Sequence, residues 1–155
     1  MKKLIIGIAF VFITTGLFAQ NISDYTEVTR DVMKTEKKAA IAEAMQLTEQ
    51  ESAVFWPLYN EYNSEMYTVN TKLINTIKDY ANNYDKMTDE KAESIWKEVM
   101  KIDTDLLKLK KSYFKKFVKI LPATKAVRYF QAENKIKSLV DARLALEIPL
   151  FEEMK

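Results

Sequence analysis

Six lysines, Lys97, Lys101, Lys108, Lys111, Lys115 and Lys119, are separated by three, four or seven residues. At about 100° per residue, that spacing places all six on one strip of a single helix. Their ammonium groups can attract carboxylates and donate hydrogen bonds, but at ordinary pH they are no nucleophiles. No other chemistry stands beside them, because the chain has no histidine and no cysteine. It therefore has no imidazole base, thiol nucleophile or Cys/His metal site. A helical di-metal carboxylate site also wants histidine. A pair of catalytic carboxylates would need two acids on one cleft, and the acids here are scattered. The expectation is a binding protein rather than an enzyme, with no cofactor and no metal.

The strip must be carried by a helix running from Thr88 to Leu121, about 50 Å long. Ile95, Trp96, Val99, Ile102, Leu106, Leu107, Leu109, Tyr113, Phe114, Phe117 and Leu121 form its broad apolar arc. Met100, Leu107 and Val118 border the lysines. Two readings stay open: a basic, apolar-flanked surface that holds something, or the solvated back of an amphipathic helix. Asp103 and Lys110 fall inside the apolar arc, either as a polar layer fixing register or as a functional pair.

Three further helices are expected, making an all-α fold of four long helices. The first runs from Ser23 or Asp24 to Gln46, with Val28, Val32, Ala39, Ile41, Ala44 and Met45 on its apolar side. Thr48 with Glu51 three residues later is a capping box that opens the second. Phe55, Tyr59, Tyr62, Met66, Val69, Leu73, Ile77, Tyr80 and Tyr84 form its seam, and Pro57 predicts a kink near Phe55-Trp56. Asn82-Asn83 should close it through a left-handed residue. Pro122 suits the first turn of the fourth helix, which runs to about Leu146 with Val127, Phe130, Ile136, Leu139, Val140 and Leu144 on one side. Glu147 to Phe151 is a short tail expected to pack back across the bundle.

Residues 1–19 read as a secretory signal peptide: Lys2-Lys3, an apolar run from Leu4 to Phe18, and Ala19 before Gln20. Residues 20–155 then form one domain. The apolar run is short for a membrane span. With no cysteine the product is no lipoprotein, so a soluble periplasmic protein is expected. Both glycines, Gly7 and Gly16, lie within the signal, which favours long helices over many tight turns. Without the signal the charges balance at 22 basic and 22 acidic. They are segregated, however. Lys97 to Lys137 holds 12 basic and 4 acidic residues, whereas Gln20 to Trp96 holds 8 basic and 14 acidic. Nucleic acid is not an expected partner in an exported compartment.

Leu47-Thr48-Glu49-Gln50-Glu51 resembles the Leu-Thr-x-x-Gln motif of the Spy/CpxP group of periplasmic proteins, with Glu51 where that motif has glutamine. Leu121-Pro122-Ala123-Thr124-Lys125 stands where the family's second copy would fall and keeps its leucine. The run from Ile41 to Tyr62, with Tyr129 to Asn134 and Ile148-Pro149-Leu150, is similar to exported proteins of Bacteroidetes-type bacteria grouped with this family. The resemblance implies a cradle-shaped antiparallel homodimer that holds unfolded or partly folded envelope proteins without ATP in an envelope-stress response. The alternative is a regulatory protein that binds one envelope-stress sensor or anti-sigma system. Leu47, Thr48, Glu51, Leu121 and Pro122 are expected to be structural, and the six lysines to carry client binding.

Overall fold

The computed structural model describes residues 36–150, and all its regular structure is helical. The helix α1 is described over residues 36–45, α2 spans Glu49–Asn83, α3 Asp89–Ile120 and α4 Ala123–Glu147. A single 3₁₀ turn, Tyr84–Lys86, joins α2 to α3. The expected signal peptide, the first half of the expected first helix with Val28 and Val32, and Phe151 lie outside the described residues. Among the described residues no helix is long and apolar enough to cross a membrane.

The helix starts follow from side-chain caps. Thr48 Oγ1 accepts from the Glu51 backbone N–H at 3.3 Å, and Glu51 Oε2 accepts from the Thr48 N–H at 2.9 Å. This closes the expected capping box and satisfies two of the donors that every helix start leaves bare. Thr88 caps α3 in the same way, accepting from Lys91 N–H at 3.2 Å. Helix α2 continues unbroken through Pro57. Pro57 and Ala53, whose carbonyl loses its helical partner there, are both solvent-exposed, so water can take over the missing bond.

Two boundaries form differently from the expectation. Asn83 ends α2, but no left-handed residue closes it: Tyr84 stays right-handed and Asn83 Nδ2 turns back onto the Asp79 carbonyl at 2.8 Å. Pro122 caps α4 from outside the first turn, in an extended conformation that lets its carbonyl accept from Lys125 and Ala126.

Packing is antiparallel along the chain. Asp79 meets Lys91 at 2.6 Å and Glu61 meets Lys116 at 2.7 Å between α2 and α3, and Lys110 bonds Asn134 at 2.8 Å between α3 and α4. The core is a nest of aromatic rings: Phe55, Tyr59 and Tyr62 from α2, Tyr113 and Phe117 from α3, and Tyr129 from α4. Neighbouring centroids lie 4.7 to 6.4 Å apart, mostly tilted or edge-on, as the ring quadrupoles prefer. Ile41 and Met45 of α1 close this nest.

The core occupies one end of the α2–α3 hairpin. The α2 seam is buried at Phe55, Tyr59, Tyr62 and Met66, but from Val69 to Tyr84 its members are only half-buried. At that far end Tyr80 and Tyr84 donate their hydroxyls to the Pro149 and Leu150 carbonyls at 3.0 and 2.8 Å, so the tail does fold back onto α2. Helix α4 keeps Phe130 and Ile136 of its expected face against the core, but the face is centred on other residues. Ala126, Tyr129 and Glu133 are buried, while Val127 and Leu139 are exposed. Tyr129 meets rings of both α2 and α3, and Glu133, one turn on, meets Lys37 of α1.

Candidate binding surface

All six lysines of the strip are exposed on α3. They are not equivalent. Lys97 pairs with Glu93 at 2.6 Å, Lys101 with Glu98 at 3.8 Å and Lys108 with Asp105 at 3.9 Å, each three or four residues back along the same helix. Such exposed pairs are worth only a few tenths of a kcal/mol, but they offset the local positive field. Among the described residues, Lys111, Lys115 and Lys119 have no carboxylate within ion-pair reach. Lys119 sits in the last turn of α3, where the helix dipole favours a cation.

Lys111 and Lys115 come together with Lys110 over an aromatic floor. These three lysines, Phe114 of α3 and Phe130 of α4 line a shallow depression of about 350 Å³. The two rings meet edge to face at 5.7 Å. Lys110 is held there by Asn134, and burial and the nearby Lys137 lower its pKa from the usual lysine value. It was expected either in a polar layer with Asp103 or in a functional pair with it. Asp103 is solvent-exposed, so that layer does not form, and Lys110 instead meets α4.

Beside the lysines runs an apolar stripe. Met100 and Leu107 are 52% and 53% exposed, and Val118 is exposed as well. Trp96, placed by periodicity in the buried arc, is 64% exposed. The arc is wider than its neighbours can cover. Ile102, Leu106, Tyr113, Phe117 and Leu121 take the buried positions, leaving Trp96 and Leu107 at the uncovered edge. The arrangement can hold an extended or helical segment that offers carboxylates to the lysines and apolar side chains to the stripe. It holds no nucleophile, and no three His, Cys, Asp or Glu residues cluster among the described residues.

The motif residues take capping and packing positions. Leu121 is buried and Leu47 packs against the core, while Pro122 caps α4. Glu51 also accepts a hydrogen bond from Lys125 Nζ, which ties the start of α2 to the start of α4. The Lys125 ammonium and the Thr48 N–H hold the Glu51 carboxyl below the usual carboxylate range. A second cross-helix knot joins Tyr113 to α2. Its hydroxyl lies 2.8 Å from Glu61 Oε1 and 2.6 Å from Glu65 Oε1, and Lys116 Nζ stands 4.1 Å from its ring centre.

One polar cluster escaped sequence reasoning. Glu133 is 6% exposed beneath α1, and its Oε2 takes an ion pair from Lys37 at 2.8 Å. Tyr59, Tyr62 and Tyr129 face it. Burial first, and then the Glu133 charge, push all three phenols well above the usual tyrosine range. The sole sequence signal was Glu133 lying on one face with Ala126 and Tyr129, a charge where an apolar residue would serve. Compared with protein-family models, curated proteins and solved structures, the chain finds no match.

Proposed function

We propose that this is an exported, periplasmic holdase of the Spy/CpxP type, which binds unfolded or partly folded envelope proteins on α3 without ATP. The observation that carries the reading is the presence on one helix of an exposed apolar stripe, Trp96, Met100 and Leu107, alongside a strip of six exposed lysines. Unfolded chains present both kinds of complement at once. Ammonium groups draw in acidic segments at a distance, and the indole, thioether and leucine side chains give soft apolar contact on arrival. Exposed tryptophan and methionine adapt to many sequences, which suits a client-tolerant surface. The resemblance of Leu47 to Glu51 to the Leu-Thr-x-x-Gln motif and the signal-peptide pattern of residues 1–19 support the same assignment.

An antiparallel homodimer belongs to this proposal. Leu139 and Leu146 near the end of α4 are mostly exposed, and a second copy would cover them while leaving α3 to clients. Light scattering after size exclusion should give twice the chain mass at micromolar concentration, and a strict monomer would remove the dimer from the reading.

Pull-down from periplasmic extract under mild stress tests the function. Many unrelated proteins should be recovered in a salt-sensitive manner. Recovery of one saturable partner would replace the holdase with a regulator of a single envelope sensor, and recovery of none would leave α3 without a client.

A further inference from the structure

Met100, Leu107 and Phe114 recur every seven residues on α3, a spacing that drifts only about 20° around a helix per repeat. Trp96 and Val118 extend this row by one turn at either end, to a length of about 33 Å at the helical rise. Trp96, Met100 and Leu107 are more than half exposed, and Val118 is exposed. Among the described residues, α4 meets the row at Phe114, through Phe130, and leaves the rest open.

The lysines follow one long edge of the row. Lys97, Lys101, Lys108, Lys115 and Lys119 each come directly after a row member, about 100° further round the helix. Of the three acids between Trp96 and Val118, Glu98 and Asp105 project from the opposite side of α3, and Asp103 stands beside the row. At Phe114 three ammonium groups converge, where Lys110, Lys111 and Lys115 line the depression floored by Phe114 and Phe130. Lys110 bonds a neutral amide oxygen, that of Asn134. The surface is thus a straight apolar line with one cationic border and a cationic cup.

We propose that the chain docks peripherally on anionic phospholipid bilayers through α3, laying Trp96, Met100 and Leu107 into the interface while Lys110, Lys111 and Lys115 hold lipid phosphates. The partner must be apolar within, anionic at its face and continuous over tens of ångströms, and such a bilayer is all three. Indole settles at headgroup level, and lysine stems lie along apolar surface while their ammonium groups reach the phosphates. A bilayer also brings no backbone N–H or C=O to be paired, which suits a helix whose own backbone bonds are closed within it. The proposal goes beyond the holdase reading and needs no client.

Vesicle sedimentation tests the proposal on the chain from Gln20, because the apolar run Leu4 to Phe18 would insert by itself. Every described contact lies in residues 36–150 and is kept. The chain should pellet with vesicles of phosphatidylcholine mixed with phosphatidylglycerol, stay in solution with phosphatidylcholine alone, and be released by salt. Lys110→Gln with Lys111→Gln and Lys115→Gln should weaken binding about a hundredfold, or about 3 kcal/mol, at about 1 kcal/mol per lysine near an anionic surface. Asp103→Asn should strengthen it. Trp96 emission, read in Trp56→Phe, should shift to the blue on the anionic vesicles. Should that variant fail to fold, quenching by brominated acyl chains in the unsubstituted chain decides the same point, since Trp56 packs against the core. Equal pelleting with both vesicles, or with neither, would overturn the proposal. So would pelleting without blue shift or quenching, which would mean that the lysines adsorb while the row stays wet. Release by inorganic phosphate beyond that by salt of equal ionic strength would assign the cup to a free anion and equally reject docking. Suppression of client aggregation is measured without lipid, so either reading can fail while the other stands.

Discussion

Glu51 and Lys125, 74 residues apart, meet at the point where α2 and α4 both begin. Glu51 completes the cap on its own helix and, with the same Oε2, accepts from the lysine of the other. One carboxylate thus sets the start of α2 and its register against α4. Thr48→Ala should destabilise the fold by about 1 kcal/mol through loss of the cap. Glu51→Gln keeps an acceptor for the Thr48 N–H and should be milder than Glu51→Ala, which removes both bonds. Urea unfolding checks the order. Equal loss from glutamine and alanine would mean that the ion pair carries the whole effect.

Buried tyrosines fall into two classes, and removing their hydroxyls should have opposite effects. Among the described residues Tyr62 Oη has no hydrogen-bond partner, so Tyr62→Phe should leave stability unchanged or raise it by up to about 1 kcal/mol. The Tyr113 hydroxyl bonds carboxylates on α2, so Tyr113→Phe should lower stability by about 1 kcal/mol. Thermal melts of the two single variants decide it. A loss at both positions would mean that the Tyr62 hydroxyl is solvated by a buried water.

Stability should fall on both sides of neutrality, for different groups. Glu51 and Glu61 have folded pKa values below the ordinary 4.5, lowered chiefly by Lys125 and Lys116 respectively. Their contribution is complete above that value and is lost as pH falls through the lower folded range. Tyr59, Tyr62, Tyr113 and Tyr129 are shifted upward from 10.0, chiefly by burial. Their contribution is complete below pH 10 and is lost as pH rises towards the folded values. These four tyrosines, half of the chain's 8, should ionise only as the fold is lost. Tyrosinate absorbance and circular dichroism should then change together in the alkaline transition. Ionisation of all eight before any loss of helix would contradict the burial of the nest.

The lysines divide the surface into a stronger and a weaker half. Lys111→Glu with Lys115→Glu and Lys119→Glu should abolish suppression of aggregation of an acidic client. The same reversal at Lys97, Lys101 and Lys108, which already have carboxylate neighbours, should weaken it less. Lys72, Lys86 and Lys135, exposed and outside the strip, supply the charge control. Melting temperatures should barely move, since surface substitutions shift stability little. Activity of the unsubstituted protein should also drop steeply with salt, because the screening length shrinks from about 10 Å at 0.1 M to about 3 Å at 1 M. Equal losses in all three triple variants would assign the effect to net charge.

Local signals in the chain were strong enough to read the fold directly. Thr48, Thr88 and Pro122 mark helix starts because caps depend on residues a few positions apart, and the Phe55-to-Met66 spacing shows its buried face. What could not be read depends on long-range partners. Trp96 and Leu107 have the same periodicity as Ile102 and Leu106, and only the reach of neighbouring helices decides which are covered. Glu133 and Lys37 are 96 residues apart, and nothing near either announces the other. The lysine strip was legible as a strip, but its division by Glu93, Glu98 and Asp105 turns on rotamers that spacing alone leaves free.

The two tyrosine bonds at the far end of α2 give the molecule a measurable asymmetry. Among the described residues all the large buried rings are at one end, so the other end relies on a hairpin grip and on the clasp from Tyr80 and Tyr84 to the tail carbonyls. Pulled or warmed, such a rod should open like a clothes peg, with the aromatic end as its spring and the clasp as the jaws. A carboxypeptidase that trims the chain past Pro149 would remove the jaws and leave the spring intact. The trimmed protein should keep its main melting transition while amides 69–83 lose protection.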